Sequence, residues 1–236
     1  MQASGAAKIT GLYAVTPDAL SAPELMTKLN SALAAGVRLI QLRRKQLTAA
    51  DLLHEAHQIR ALTSACDATF IVNDNLAIAL EVGADGVHWG RDDAPCNESA
   101  ALAAQIRNAK RRAAELRPHQ PFLIGISCYG DFARAEFAVA AGADYLAFGS
   151  MFVSPTKPNA APASLELLTR AKQSFALPIV AIGGISRDNA PTLINAGADA
   201  VAVISDLFSA TTDVEIATRS RSYQALFAAR ALPSNS

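Results

Sequence analysis

A chain of 236 residues that is 51% hydrophobic and 18% charged can bury a large core, which excludes a disordered segment. Its 21 basic side chains balance 21 acidic ones, and that balance argues against a nucleic-acid or membrane-surface protein. Any anionic ligand must be met by charge gathered locally.

The opening residues lack the apolar stretch of a signal peptide, and no apolar run is long enough to span a bilayer. Cys66, Cys96 and Cys128 are odd in number and lack metal-ligand spacing, which suits free thiols in a reducing cytoplasm. Eight short runs rich in Val, Ile and aromatics read as strands: 11–16, 38–43, 69–73, 86–89, 122–127, 145–149, 178–183 and 200–205. Helical spacing separates them, as at 48–64, 132–141 and 188–196, and the run from Asp206 to Arg230 reads as a closing helix. Gly-Ala-Asp recurs at 83–85, 142–144 and 197–199, with Ala35-Gly36-Val37 as a reduced copy. A glycine past a helix end caps it, and the aspartate can bond the turn before the next strand. Each copy therefore marks a helix-to-strand junction.

Strict alternation implies parallel pairing with right-handed crossovers. Eight units in this length predict an α/β fold, a single-domain (β/α)₈ TIM barrel over residues 1–236. A doubly wound open sheet is the alternative, but it usually needs fewer units. The segment 97–121 is long for its place and basic through Lys110, Arg111, Arg112 and Arg117. An RNA-contacting patch and a solvated helix face are its two readings, and the neutral whole favours the second.

Functional groups of such a barrel sit at the C-terminal ends of its strands. After the second strand, Gln41, Arg43 and Lys45 share one face by period two, opposite Leu42. Two cations and an amide there make an anion clamp, or a salt-bridged strand end. Asp74 and Asp93 follow neighbouring strands, so their carboxylates can approach each other and hold Mg²⁺ with phosphate oxygens and water. The plainer reading makes both aspartates helix caps. His88 is a lone histidine on an apolar strand, suited to the core or to substrate contact. His54 and His57 lack a third ligand, so no zinc site is assigned. Ser127 ends the fifth strand without a base to make it a nucleophile. Ser154, Thr156 and Lys157 sit in a loop stiffened by Pro155 and Pro158, a set suited to phosphate oxygens, though also to a plain surface turn. Gly184 and Ser205 follow the seventh and eighth strands, the recurrent phosphate site of barrel enzymes. One half of the mouth thus suits a metal-bound diphosphate, the other a monophosphate.

Together, Gln41-Leu42-Arg43-Arg44-Lys45, Asn73-Asp74, Val87 to Asp93, Gly125-Ile126-Ser127, Ser154 to Lys157, Ala181 to Gly184 and Ile204-Ser205 resemble the thiamine-phosphate synthase family from about Leu12 to Leu207. The resemblance implies joining a hydroxymethylpyrimidine diphosphate to a thiazole phosphate with release of pyrophosphate. It implies Gln41, Leu42, Arg43, Arg44, Lys45, Asn73, His88, Ser127 and Lys157 on the pyrimidine diphosphate, with Arg43, Lys45, Ser127 and Lys157 catalytic. It further implies Mg²⁺ on Asp74 and Asp93, and the thiazole phosphate on Ser154, Pro155, Thr156, Gly184, Ile204 and Ser205. Trp89, Arg91, Asn75, Ser154 and the length of 97–121 depart from the family's usual pattern. Two rivals stay open: a thiazole tautomerase of the same superfamily, and a non-catalytic protein that binds a phosphorylated metabolite. Cytoplasmic location is expected, and the sequence leaves a homo-oligomer open.

Overall fold

The computed structural model describes residues 9–94, 99–152 and 163–231, which alternate strand and helix. The strands are β1 (Gly11–Val15), β2 (Leu39–Leu42), β3 (Thr69–Asn73), β4 (Gly86–Trp89), β5 (Leu123–Tyr129), β6 (Tyr145–Phe148), β7 (Ile179–Ile182) and β8 (Ala200–Val203). The helices are α1 (Ala22–Ala34), α2 (Ala49–Ala65), α3 (Leu76–Glu81), α4 (Ser99–Leu116), α5 (Phe132–Ala141), α6 (Leu165–Ser174), α7 (Ala190–Asn195), α8 (Ser205–Phe208) and α9 (Asp213–Ala231). Each strand pairs in parallel with the next. Residues 11–14 pair with 200–203, so β8 meets β1 and the sheet closes into a barrel. An open doubly wound sheet, which would leave β1 and β8 as edges, is excluded.

Two cores follow from the period of two. Tyr13, Val15, Leu39, Ile71, Leu123, Tyr145 and Val180 point inward and fill the barrel. Their strand neighbours, among them Leu12, Ile40, Val72, Val87 and Leu146, point outward and pack under the helices. Strands buried on both faces need apolar residues at every position, and for that reason they read as continuous apolar runs.

The repeated Gly-Ala-Asp holds the N-terminal end of the barrel. Gly142 takes φ +93° past α5, a conformation that favours glycine. Asp144 then accepts the Ile124 N–H at 2.8 Å and pairs with Lys110 of α4 at 2.9 Å. Asp85 does the same with the Phe70 N–H and Arg60, and Asp199 with the Ile179 N–H and Lys172. The repeat therefore ties a helix, the strand after it and the next junction together, three times around the ring.

One expectation changes. The closing segment is two helices, because Thr212 Oγ1 accepts the Glu215 N–H and Glu215 reaches back to the Thr211 N–H. Thr212-Asp213-Val214-Glu215 is a helix-start signal that restarts the chain as α9. The basic segment is a helix whose Arg111 and Arg112 are exposed, while the cations at its edge are held by the fold. Lys110 pairs with Asp144, Arg111 with Glu115, and Arg117 donates to the carbonyls of Gly83 and Ala84. Among the described residues no helix is long and apolar enough to cross a membrane.

Candidate active site at the barrel mouth

The exit of β2 shows the period of two carried past the strand. Gln41 points into the barrel, buried, and donates to the Tyr13 hydroxyl. Arg43 turns to the mouth, where Asp18 from the loop after β1 takes its Nη1 at 3.1 Å and the Lys45 N–H at 2.6 Å. Lys45 is exposed, with its Nζ 3.7 Å from Asp74. Leu42 and Arg44 face the other way. Leu42 is buried in the outer core. Arg44 is buried against Glu55 of α2, and its Nη1 donates to the carbonyls of Pro17, Asp18 and Leu20. Both side chains thus point away from the barrel interior, and Arg44 holds the loop after β1.

Asp74 follows β3 with φ +62°, a strained setting for a residue other than glycine. Trp89 Nε1 donates to its carbonyl at 3.2 Å, and the Asn73 amide donates to its carboxylate. Burial and the neighbouring Asp93 carboxylate hold the Asp74 pKa above the usual range. Both carboxylates reach Gly90: a Cβ there would lie 3.3 Å from Asp93 Oδ2 and 3.8 Å from Asp74 Oδ1. Asn75 caps α3 by accepting the Ile78 N–H. Arg91 lies over the Tyr129 ring at 4.7 Å.

Deeper in the barrel His88 stacks on Tyr145 and bonds Ser127 Oγ through Nε2 at 2.8 Å. Burial pushes its pKa down to about 4, so the ring is neutral at physiological pH. Sequence reasoning missed Tyr13, Tyr145, Asp18 and Arg134. Tyr13 and Tyr145 were legible as inward positions by period two, since each falls in step with its neighbours Val15 and Ala147. Arg134 gave no such signal. It is buried, and donates to the carbonyls of Ser127 and Gly90 from α5.

Across the mouth, the chain leaving β6 lies along the β7 loop. Met151 N donates to the Ile182 carbonyl and Phe152 N to the Gly183 carbonyl, both at 3.0 Å. Gly184 is exposed at φ +64°, and its carbonyl accepts the Asn189 amide. Ile204 packs against the inner core and Ser205 opens α8, exposed, beside it. Ser154, Pro155, Thr156 and Lys157, expected on the substrates, lie outside the described residues.

A closed parallel barrel whose mouth gathers two carboxylates, two cations and a glycine loop defines an enzyme of phosphorylated small molecules. A family profile described as thiamine monophosphate synthase matches residues 12–207. The chain is 46% identical to the thiamine-phosphate synthase of Azoarcus sp. over 94% of its length and 98% of that protein's. It is 43% identical to that of Alcanivorax borkumensis, over 93% and 95%. The solved thiamine phosphate pyrophosphorylase of Pyrococcus furiosus superposes with a TM-score of 0.75 at 30% identity, covering 94% of this chain and 98% of that one. The chain belongs to the thiamine monophosphate synthase family, and it is a transferase of the thiamine-phosphate synthase type.

Proposed function

We propose that the barrel mouth holds a pyrimidine diphosphate and a thiazole phosphate face to face, and joins them with loss of pyrophosphate. The observation that carries this reading is the convergence of Asp74 and Asp93 beside Lys45, with Arg43 on the same strand exit. Two carboxylates held close, one with a raised pKa, leave a deficit of positive charge that a divalent cation would cancel. The residues therefore fit Mg²⁺, which Asp74 and Asp93 would hold. Among the described residues no third His, Cys, Asp or Glu joins them, so diphosphate oxygens and water must complete the shell.

Bound Mg²⁺ supplies positive charge to the departing pyrophosphate. Arg43 and Lys45 add theirs from the exit of β2, and Lys157 adds its own. The methylene–oxygen bond breaks with its electron pair leaving on the pyrophosphate, and the thiazole nitrogen lone pair forms the new carbon–nitrogen bond. No strong base is required. Gln41, Asn73, His88 and Ser127 hold the pyrimidine. Gly184, Ile204 and Ser205, with Ser154, Pro155 and Thr156, hold the thiazole phosphate across the mouth, and proximity of the two rings does the rest. Residues 1–236 work as one domain, in the cytoplasm.

The test mixes the protein, Mg²⁺ and both substrates and measures pyrophosphate and thiamine phosphate, with EDTA as control. Equal amounts of both products, abolished by EDTA, are expected. Pyrophosphate-free turnover of the thiazole phosphate alone would reassign the chain to an isomerase.

A further inference from the structure

Five side chains from five strands form one hydrogen-bonded line across the barrel interior. Gln41 Nε2 lies 2.7 Å from the Tyr13 hydroxyl, which lies 2.9 Å from the Tyr145 hydroxyl. Tyr145 lies 3.0 Å from His88 Nδ1, and His88 Nε2 reaches Ser127. Gln41, Tyr13, Tyr145 and His88 are buried, and only Ser127 at the far end is partly open. The line is built for: a Cβ at Gly125 would come within 2.0 Å of the Tyr145 ring, so glycine there makes room for it.

Either phenol could donate to the other and either imidazole nitrogen could carry the hydrogen, but with the Gln41 amide nitrogen facing Tyr13 only one order gives every buried O–H and N–H in the line an acceptor. An amide nitrogen has hydrogens only to give, so the Tyr13 oxygen accepts from Gln41. A phenol has one hydrogen, and that of Tyr13 then goes to Tyr145. The Tyr145 hydrogen goes to His88 Nδ1. A neutral imidazole that accepts at Nδ1 carries its hydrogen on Nε2, which donates to Ser127 Oγ. The Ser127 hydrogen is left over. Burial keeps both phenols protonated and the imidazole neutral, so no proton is gained or lost along the way.

We infer that Tyr13 and Tyr145 are positioning residues that pass the polarity of Gln41 to His88, so that Ser127 meets the substrate as a hydrogen-bond donor. The atom opposite Ser127 is then an acceptor, a ring nitrogen of the pyrimidine or an oxygen of its diphosphate. This rests on the proposed pyrimidine site.

The test begins with nitrogen–proton spectra of the ¹⁵N-histidine-labelled full chain at neutral pH, with His88 identified by its loss in His88→Gln. Nε2 is expected to be protonated and Nδ1 bare. A proton on Nδ1, or a charged ring, overturns the inference. In Tyr145→Phe, with folding checked by thermal melting, the bare Nδ1 loses its donor and its resonance should move toward that of an unbonded nitrogen. An unmoved resonance overturns the inference as well. In that variant kcat/KM for the pyrimidine diphosphate should fall about tenfold while KM for the thiazole phosphate holds. Equal loss for both substrates marks a merely structural tyrosine and overturns the role. Tyr13→Phe repeats the kinetic test should the first variant fold poorly. Because the tautomer is read on the free protein, failure of the synthase reading would show separately, as absent pyrophosphate release from the parent chain.

Discussion

At the N-terminal end of the barrel, Asp85, Asp144 and Asp199 each sit against one cation and one backbone N–H of the preceding strand. At the C-terminal end, Asp74 and Asp93 sit against each other, with the backbone of Asp74 turned to positive φ. The same residue type thus closes the ring at one end and waits for a charge at the other. The first arrangement is satisfied within the chain, so it can only stabilise. In the second, the described residues set two carboxylates against one exposed lysine 3.7 Å away, and that deficit of positive charge suits it to binding.

Substitutions at the two ends should separate turnover from stability. The largest effect is expected for Asp93→Ala, which should lower kcat by roughly a hundredfold or more, in the range of a lost electrostatic stabiliser. Thermal stability should hold or rise, since a repulsive partner is gone. A variant that melts early with normal turnover would place Asp93 with the structural aspartates. Next, Arg44→Ala should cost about 3–5 kcal/mol in denaturant unfolding, because it strands the buried Glu55 carboxylate. Asp144→Ala removes an acceptor for the Ile124 N–H and the partner of Lys110. About 1–3 kcal/mol of stability should go, with kcat unchanged. A fall in kcat without loss of stability would break the division between the two ends. Ser205→Ala should raise KM for the thiazole phosphate by roughly ten- to a hundredfold, the worth of one hydrogen bond to a charged group, and leave kcat alone.

The smallest and most diagnostic effect concerns pH. The Asp74 pKa is raised in the folded chain, so its contribution is present at low pH and is lost as pH rises through the folded value. Mg²⁺ should offset that loss. The rise in Tm on adding Mg²⁺ should therefore be larger at pH 8 than at pH 4, and absent in Asp93→Ala. His88 acts in the opposite sense: its pKa is lowered to about 4, so stability should fall as pH drops from the ordinary histidine range toward 4 and then level off. His88→Gln should flatten that acid limb in calorimetric scans.

The strands were legible along the chain, because they depend on short-range period. A strand buried on two faces is apolar at every position, and Gly142 announces a helix end locally, whereas the restart at Thr212 was passed over. Alternation also carried Gln41, Arg43 and Lys45 to one face and Leu42 and Arg44 to the other. Arg134 and Asp18 carried no local mark, since their partners lie on other units of the barrel.

The amino-acid order alone determined the eight-fold alternation, the family and the two acidic positions at the mouth. Only the closed barrel decided what those side chains face. It set Arg44 against Glu55, Asp74 against Asp93, and Tyr13 against Tyr145 across 132 residues of chain. Period and composition act over a few residues, whereas the partner of a buried polar group is chosen by ring closure, which brings distant strands within hydrogen-bond reach.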